Sequence, residues 1–365
     1  MAVVRHQRQR TFELRQCELH FFAAGEMGDR IERHFAGEIE TAGKAAQFLL
    51  PGTRRNARQV PQRRFITTPG GRSPLSQEYA MPKNVFDVPG NKVRLNDISA
   101  EPPGGMTKSK AEKHFATLGR ELFDLQDAMF GARVSSVMVV LQGRDTAGKD
   151  GTIKHVVGCL NPRGVSVTSF GVPTTEEREH DFLWRVHKNA PRRGEFAIFN
   201  RSHYEDVLVV RVHDLAPKKL WQERYGHIAD FEELLAEHGT IVLKYFLHIS
   251  RDEQEQRLLE REKSRDTAWK LNPNDWKERD HWDEYTKAYE DAISKTAAPH
   301  APWTVVPANS KWYRNLVIAE SIVDALRDHR KHWETTLERM GKAGRAGLDT
   351  YRAQLAVRGK TIARK

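Results

Sequence analysis

Gly143-Arg144-Asp145-Thr146-Ala147-Gly148-Lys149-Asp150-Gly151 follows directly on an apolar, β-branched run from Val134 to Leu141. Its spine is G-x-x-x-x-G-K. Glycines at these spacings let backbone N–H groups wrap phosphate oxygens. A lysine at the last position bridges neighbouring phosphates, and the helix that follows offers the positive end of its dipole. The run before the loop has the composition of a strand buried on both faces. Asp150 to Leu160 reads as the helix after it. The context is therefore strand, loop, helix, and the phosphate-binding candidates are Gly143, Ala147, Gly148, Lys149, Asp150, Gly151, Thr152 and Lys154. The ordinary motif ends in Ser or Thr, whose hydroxyl ligates Mg²⁺. Here that position is Asp150, so a carboxylate must supply the metal contact, and Asp145 inside the loop is placed for it. An acid in a phosphate cradle repels the ligand unless a cation sits between them. The competing reading of Asp145 is a loop cap.

Working outward, Ala111, Phe115, Leu118, Leu122, Leu125 and Met129 recur at three- and four-residue steps, which predicts a helix over Ser109–Phe130. Strands are expected at Val165–Val172, Phe196–Phe199, Thr240–Ile249 and Trp303–Pro307. Helices are expected from the Thr174/Thr175 cap through Val186, and over Lys218–Glu237, Asp252–Glu262, Asp275–Ile293 and Trp312–His329. Strands alternating with helices imply an α/β fold with a parallel, doubly wound sheet. Residues 81–108 read as an extended lead-in, and 335–365 as a basic tail, partly helical at best.

The 365 residues carry 59 Lys+Arg against 49 Asp+Glu. Residues 1–80 contribute 13 basic and 8 acidic side chains, and all but one of the basic ones are arginine. Three readings compete for this stretch: an Arg-rich targeting peptide, opposed by its acids; a basic arm for nucleic acid; and upstream sequence read in frame from a wrong start, with Met81 or Met106 as the real one. The last is preferred, and little structure is expected before residue 81. Only Cys17 and Cys159 occur, which excludes a disulfide framework and fits a reducing cytosol. No apolar run approaches the ~20 residues that cross a bilayer, so no membrane partner is expected.

A second constellation, Phe199-Asn200-Arg201-Ser202-His203-Tyr204-Glu205-Asp206, follows a short apolar strand. Arg201 is a natural bidentate clamp on phosphate oxygens. Asn200 stands where a metal-orienting acid is expected, and Asn or Ser could equally cap a helix from Tyr204. Arg257, Arg261, Lys263, Arg265 and Lys270 crowd a later stretch, alternating with Glu253, Glu255, Glu260 and Glu262. These cations suit a lid over a polyanion or, residue by residue, simple pairing with the glutamates.

Together with Asn161-Pro162, His180-Asp181-Phe182-Leu183-Trp184-Arg185, Trp269-Lys270, Arg279, His281-Trp282, Tyr285, Tyr289-Glu290, Ala301-Pro302-Trp303 and Lys311-Trp312-Tyr313, these blocks resemble the polyphosphate kinase 2 family over residues 109–330. The resemblance implies a P-loop kinase, thymidylate-kinase-like, with a helical lid at about 251–290 in a phosphotransferase domain of 109–334. It implies reversible transfer between inorganic polyphosphate and adenine nucleotides with Mg²⁺, guanine nucleotides being left open. Asp145 and Lys149 match catalytic residues, Asn200 a metal position that is Asp in some members, and Arg201 a phosphate-binding arginine. Acidic Glu205 with Asp206 resembles the subgroup accepting both AMP and ADP. Arg261 and Lys270 are the lid cations singled out, Lys154, Arg185 and Arg211 weaker candidates for a chain track, and Asp181 with Trp184 candidates for shaping the acceptor pocket. A homo-oligomer and a cytoplasmic location are expected; nucleic acid is not an expected partner. The rival readings are an ATP-dependent nucleoside monophosphate kinase and a non-catalytic polyanion-binding protein.

Overall fold

A computed structural model describes residues 84–265 and 268–362. The expectations for residues 1–80 lie outside these residues. Six strands form one sheet: β1 (Val85–Phe86), β2 (Ser136–Gly143), β3 (Val165–Ser169), β4 (Phe196–Asn200), β5 (Thr240–His248) and β6 (Trp303–Pro307). Their order is β1-β6-β5-β2-β4-β3. All pairings are parallel except that of β1 with β6. The earliest parallel strand, β2, is therefore central, and later strands add on both sides of it. Its C-terminal end is the point where the winding direction reverses, the place where open α/β sheets bind ligands.

All eight residues of β2 are buried, and they divide by parity, as strand geometry requires. Val137, Val139 and Leu141 pack on one face with α1 (Lys108–Ala132) and with the long C-terminal helix. Met138 and Val140 pack on the other. α2 (Lys149–His155) lies on the first face, where Ile153 packs against that cluster. Three short helices follow, α3 (Thr175–Glu179), α4 (Trp184–His187) and α5 (Val209–Val212), then α6 (Lys218–Glu237), α7 (Arg251–Lys263), α8 (Pro273–Glu278) and α9 (Trp282–Thr296). The main cover of the second face comes from α6, through Trp221, Tyr225, Ile228 and Phe231, and from α9, through Tyr289, Ala292 and Ile293.

Several expectations are corrected in detail. The helix expected through Val186 breaks at His180, because Asp181 Oδ1 accepts from Leu183 N–H at 2.9 Å and starts a new turn. The one expected over 275–293 is divided by a 3₁₀ turn at Arg279–His281. The third strand ends at Ser169 rather than Val172, where Phe170 N–H bonds Asn200 O at 3.1 Å. The last helix, α10, runs Lys311–Ile362 without a stop at His329. Trp333 is fully buried and its Nε1–H donates to Ser135 Oγ at 2.7 Å, so the packed face continues past the polar stretch before it.

Residues 84–101 are more than a lead-in. They form a strap over the sheet edge and the base of α7. β1 extends the sheet, Val93 and Leu95 are core, Leu95 N–H bonds Glu290 Oε1 at 2.8 Å, and Ile98 O accepts from His248 at 3.0 Å. A chain begun at Met81 keeps this strap, whereas one begun at Met106 loses it. Losing Val93 and Leu95 alone is expected to cost about 3–6 kcal/mol, read in calorimetry as a melting temperature lower by roughly 10 °C. Equal melting temperatures for the two chains would show that the strap adds nothing.

Candidate active site

The loop after β2 turns on residues with positive φ at Gly143, Thr146 and Gly148. Gly143 is obligatory for space as well, since a Cβ there would meet Leu247 O at 2.9 Å. Gly148 and Gly151 lie against the guanidinium of Arg314, which a Cβ on Gly148 would overlap.

Every carbonyl from Gly143 to Ala147 has a side-chain donor. Lys149 Nζ, buried, donates to Gly143 O at 2.6 Å and Arg144 O at 3.2 Å. Gln254 Nε2 donates to Asp145 O at 3.1 Å. Arg257 Nη1 donates to Thr146 O at 2.9 Å and Ala147 O at 3.4 Å, and Arg314 Nη1 also reaches Ala147 O at 3.4 Å. Ala147 N–H also bonds Arg144 O at 3.2 Å, so the loop backbone is held in one shape by its own side chains, and the start of α2 offers the positive end of its dipole to an anion. Arg144 anchors the loop laterally. Its guanidinium lies 3.7 Å over the Trp282 ring and donates to Trp282 O at 2.7 Å and to Thr286 Oγ1. Burial lowers the Arg144 and Arg314 pKa values to about 10, which still leaves both charged at neutral pH.

The ends of β2 and β4 bring the acidic and cationic candidates together. Leu141 pairs with Asn200, and Arg201 N–H bonds Leu141 O at 3.1 Å. Arg201 sits at φ 61°, a left-handed conformation that costs about 1–3 kcal/mol for a non-glycine residue. That turn points its guanidinium across to Asp145, Nη2 to Oδ1 at 2.8 Å. Burial works against the Arg201 charge, but Asp145 and Glu205 hold its pKa above the ordinary value. Burial lowers the Lys149 pKa, opposed by Asp145.

Asp150 is drawn into a three-way contact. Asn200 Nδ2 donates to its Oδ1 at 3.0 Å, and Lys270 Nζ forms an ion pair with its Oδ2. The Lys270 hydrogen bond lowers the Asp150 pKa despite partial burial. Asn200 Oδ1 and Thr152 Oγ1 are buried with no protein partner. Among the described residues no group of three or more His, Cys, Asp or Glu side chains is placed to hold a metal ion. The unpartnered Asn200 Oδ1 near the Asp145 carboxylate offers oxygen donors of the kind a hard cation takes.

Glu205 is half-buried beside this group, and burial raises its pKa against the pull of Arg201 and Lys149. Gln142 donates to Glu205 Oε1 at 3.1 Å. Other candidates are engaged elsewhere. Asp206 accepts from Arg224 at 3.1 Å and lies 3.8 Å from Arg185. Arg185 also donates to Gly171 O at 2.9 Å. Asp181 Oδ1 accepts from Leu183 N–H just before α4, Trp184 stacks on His180 at 4.0 Å, Lys154 is exposed, and Arg211 pairs with Asp291 at 2.7 Å. In the expected lid, Lys270 reaches the loop, but Arg261 is tied to Asp275 at 2.7 Å. Burial and nearby Asp145 raise the Asp275 pKa. The glutamate pairing is real too, with Glu253 on Arg257 and Glu255 on Arg279, both at 2.7 Å. Sequence reasoning missed Gln254, Arg314 and Arg144, and gave Arg257 no special weight among the lid cations. Their partners are backbone carbonyls, which leave no complementary residue to read.

A family model described as Polyphosphate kinase 2 matches residues 105–334. An AMP/ADP-polyphosphate phosphotransferase of Meiothermus ruber is 52% identical over 219 residues, covering 60% of this chain and 82% of the relative. An ADP-polyphosphate phosphotransferase of Rhodopseudomonas palustris is 38% identical over 243 residues, 62% of this chain and 84% of the relative. The crystal structure of Polyphosphate Kinase 2 from Arthrobacter aurescens TC1 superposes with a TM-score of 0.64 at 40% identity, covering 67% of this chain and 88% of that one. Loop, strand order and sequence agree along most of the described chain, which belongs to the polyphosphate kinase 2 family of phosphotransferases.

Proposed function

We propose that this chain moves a phosphoryl group from inorganic polyphosphate to AMP and to ADP, reversibly and with Mg²⁺. The observation that carries the reading is the glycine-bearing loop after β2, its carbonyls held by Lys149, Gln254, Arg257 and Arg314, beside the Arg201–Asp145 pair. The Meiothermus ruber relative carries both AMP and ADP in its name, which supports the dual acceptor. We assign the transfer to residues 109–334, with the lid at about 251–290. Two cysteines in the whole chain support a cytosolic location, and no described helix is long and apolar enough to cross a membrane.

The attacking group is a phosphate oxygen of the nucleotide. It is ionised at neutral pH, so no strong general base is needed, and catalysis is positioning plus charge stabilisation. Lys149 and the loop N–H groups hold oxygens of the transferring group. Arg201, charged throughout the working range, grips oxygens bidentately as charge spreads over them. Lys270 adds a cation from the lid side. Asp145 and Asn200 Oδ1 would hold Mg²⁺, which would supply positive charge against that of the bound phosphates. The bond broken and the bond made are both phosphoanhydrides, so concentrations set the direction.

Asp145→Asn is expected to lower turnover by about 10²-fold or more, with little change in melting temperature because the side chain is partly exposed. Near wild-type turnover would remove Asp145 from the metal role. Stripping divalent cations with EDTA is expected to abolish transfer, and Mg²⁺ to restore it. Lys270 and Asp150 can be separated. If Lys270 serves the phosphates, Lys270→Ala should lose at least about tenfold in turnover while Asp150→Ala keeps most of it. Equal losses would make the pair itself, not the cation, the working element. The direct test is chromatography of the products from AMP, long-chain polyphosphate and Mg²⁺. ADP followed by ATP is expected. ADP alone would discard the second acceptor step, and product only with ATP as donor would make the protein an ordinary nucleotide kinase.

A further inference from the structure

A cavity of about 280 Å³ lies between the strap and the end of β5. None of Asp145, Lys149, Asn200, Arg201 or Lys270 lines it. The strap supplies Leu95, Asn96 and Ile98, and the stretch from β5 into α7 supplies His248 and Arg251. Trp282 and Thr286 of α9 close another side. Arg144 is the one lining residue that belongs to the phosphate loop. The strap wall precedes residue 105, where the family match begins.

The polar groups of this cavity are short of partners. Arg144 donates from Nη2 to Trp282 O and Thr286 Oγ1, but its Nε–H is buried and bonds nothing among the described residues. Arg251 is exposed, and its backbone O accepts from Arg279 at 2.9 Å, while its guanidinium has no ion pair among the described residues. No carboxylate lines the cavity. Burial most of all, and Arg251 as well, disfavour the charge on Arg144, which Asp283 and the nearby tyrosines support. An anion between the two guanidinium groups relieves both costs, and arginine forks match phosphate oxygens.

The rest of the wall narrows the ligand. Leu95, Ile98 and Ile249 are apolar, so a bare inorganic anion leaves them against water. The space equals about nine waters at ~30 Å³ each, the small end of the range for organic ligands. A compact molecule with one phosphate and a flat body fits these limits.

We propose that this cavity is a second binding site, separate from the transfer site, for a compact phosphate monoester of the nucleoside monophosphate class. The phosphate meets Arg144 Nε and Arg251. The body lies along Leu95, Ile98 and Ile249, with the exposed Asn96 amide at its polar edge. Because Arg144 is shared, what binds here bears directly on the phosphate loop.

The test is equilibrium dialysis of labelled AMP against the full chain, without polyphosphate so that nothing turns over. Wild type is expected to bind two AMP per chain. Arg251→Gln removes a charge and Ile98→Trp fills the space, and each is expected to bind one AMP fewer than wild type. An unchanged stoichiometry in either variant overturns the proposal. Arg201→Ala is expected to remove the other AMP, so a failure of the transfer site and a failure of the cavity read separately. In Arg201→Ala the remaining AMP is expected to be displaced by phenyl phosphate. Displacement by pyrophosphate and not by phenyl phosphate would make this a site for inorganic anions and overturn the monoester assignment.

Discussion

A backbone loop binds phosphate only if its N–H groups converge, and nothing intrinsic to five peptide units makes them do so. Here the shape of the backbone is imposed from behind. Lys149, Gln254, Arg257 and Arg314 take the carbonyls of residues 143–147, and Ala147 N–H closes the loop on Arg144 O at 3.2 Å, so the backbone is fixed by partners other than a ligand. Arg257 also donates to Ala308 O and Asn309 O at 2.7 and 2.6 Å, so one guanidinium joins the loop to the turn after β6. Gln254 and Arg257 belong to α7, so the first two turns of that helix are part of the loop's scaffold, whereas Arg261 and Lys270 make no bond to a loop carbonyl.

The second constraint lies under Arg201. The next residues, Ser202, His203 and Tyr204, are buried. Tyr204 OH donates to Glu232 Oε1 at 2.9 Å, and His203 Nε2 is 3.2 Å from the same oxygen. Lys244 Nζ, also buried, donates to Glu232 Oε2 at 2.6 Å and Thr296 O at 2.7 Å. Removing one partner of such a pair strands a charge in the core, at a cost of about 3–5 kcal/mol. The network lies directly after the left-handed turn of Arg201 and ties it to α6, β5 and α9. The strain at φ 61° is held by contacts that the turn itself does not make.

The legible parts of this protein were the local ones. Strand, loop and helix follow one another in sequence, so β2, Gly143–Gly151 and α2 could be read together, and the apolar run read as buried on both faces is buried throughout. Asn200 and Arg201 were legible because a short apolar run places them at a strand end. Arg314 and Gln254 were not, because a donor to a distant carbonyl has no sequence partner. The strap at 84–101 bonds largely through its backbone and so reads as loop. α10 seemed to stop at His329 because the polar stretch before Trp333 masks the periodicity that Trp333, Leu337 and Met340 resume.

The site is electrically closed before any ligand arrives. Arg201 is paired with Asp145, Lys270 with Asp150 and Arg261 with Asp275. A cation already satisfied by a carboxylate gives up that partner when it turns to phosphate, so it gains less from binding than a bare cation would. For a polyanion of many equivalent phosphates this matters, because a bare cationic groove would hold the chain too firmly to let it advance after each transfer. Asp150 in place of the usual hydroxyl makes sense in these terms. It gives Lys270 a partner after the loop, takes the Asn200 amide N–H, and leaves the buried Asn200 Oδ1 with no protein partner.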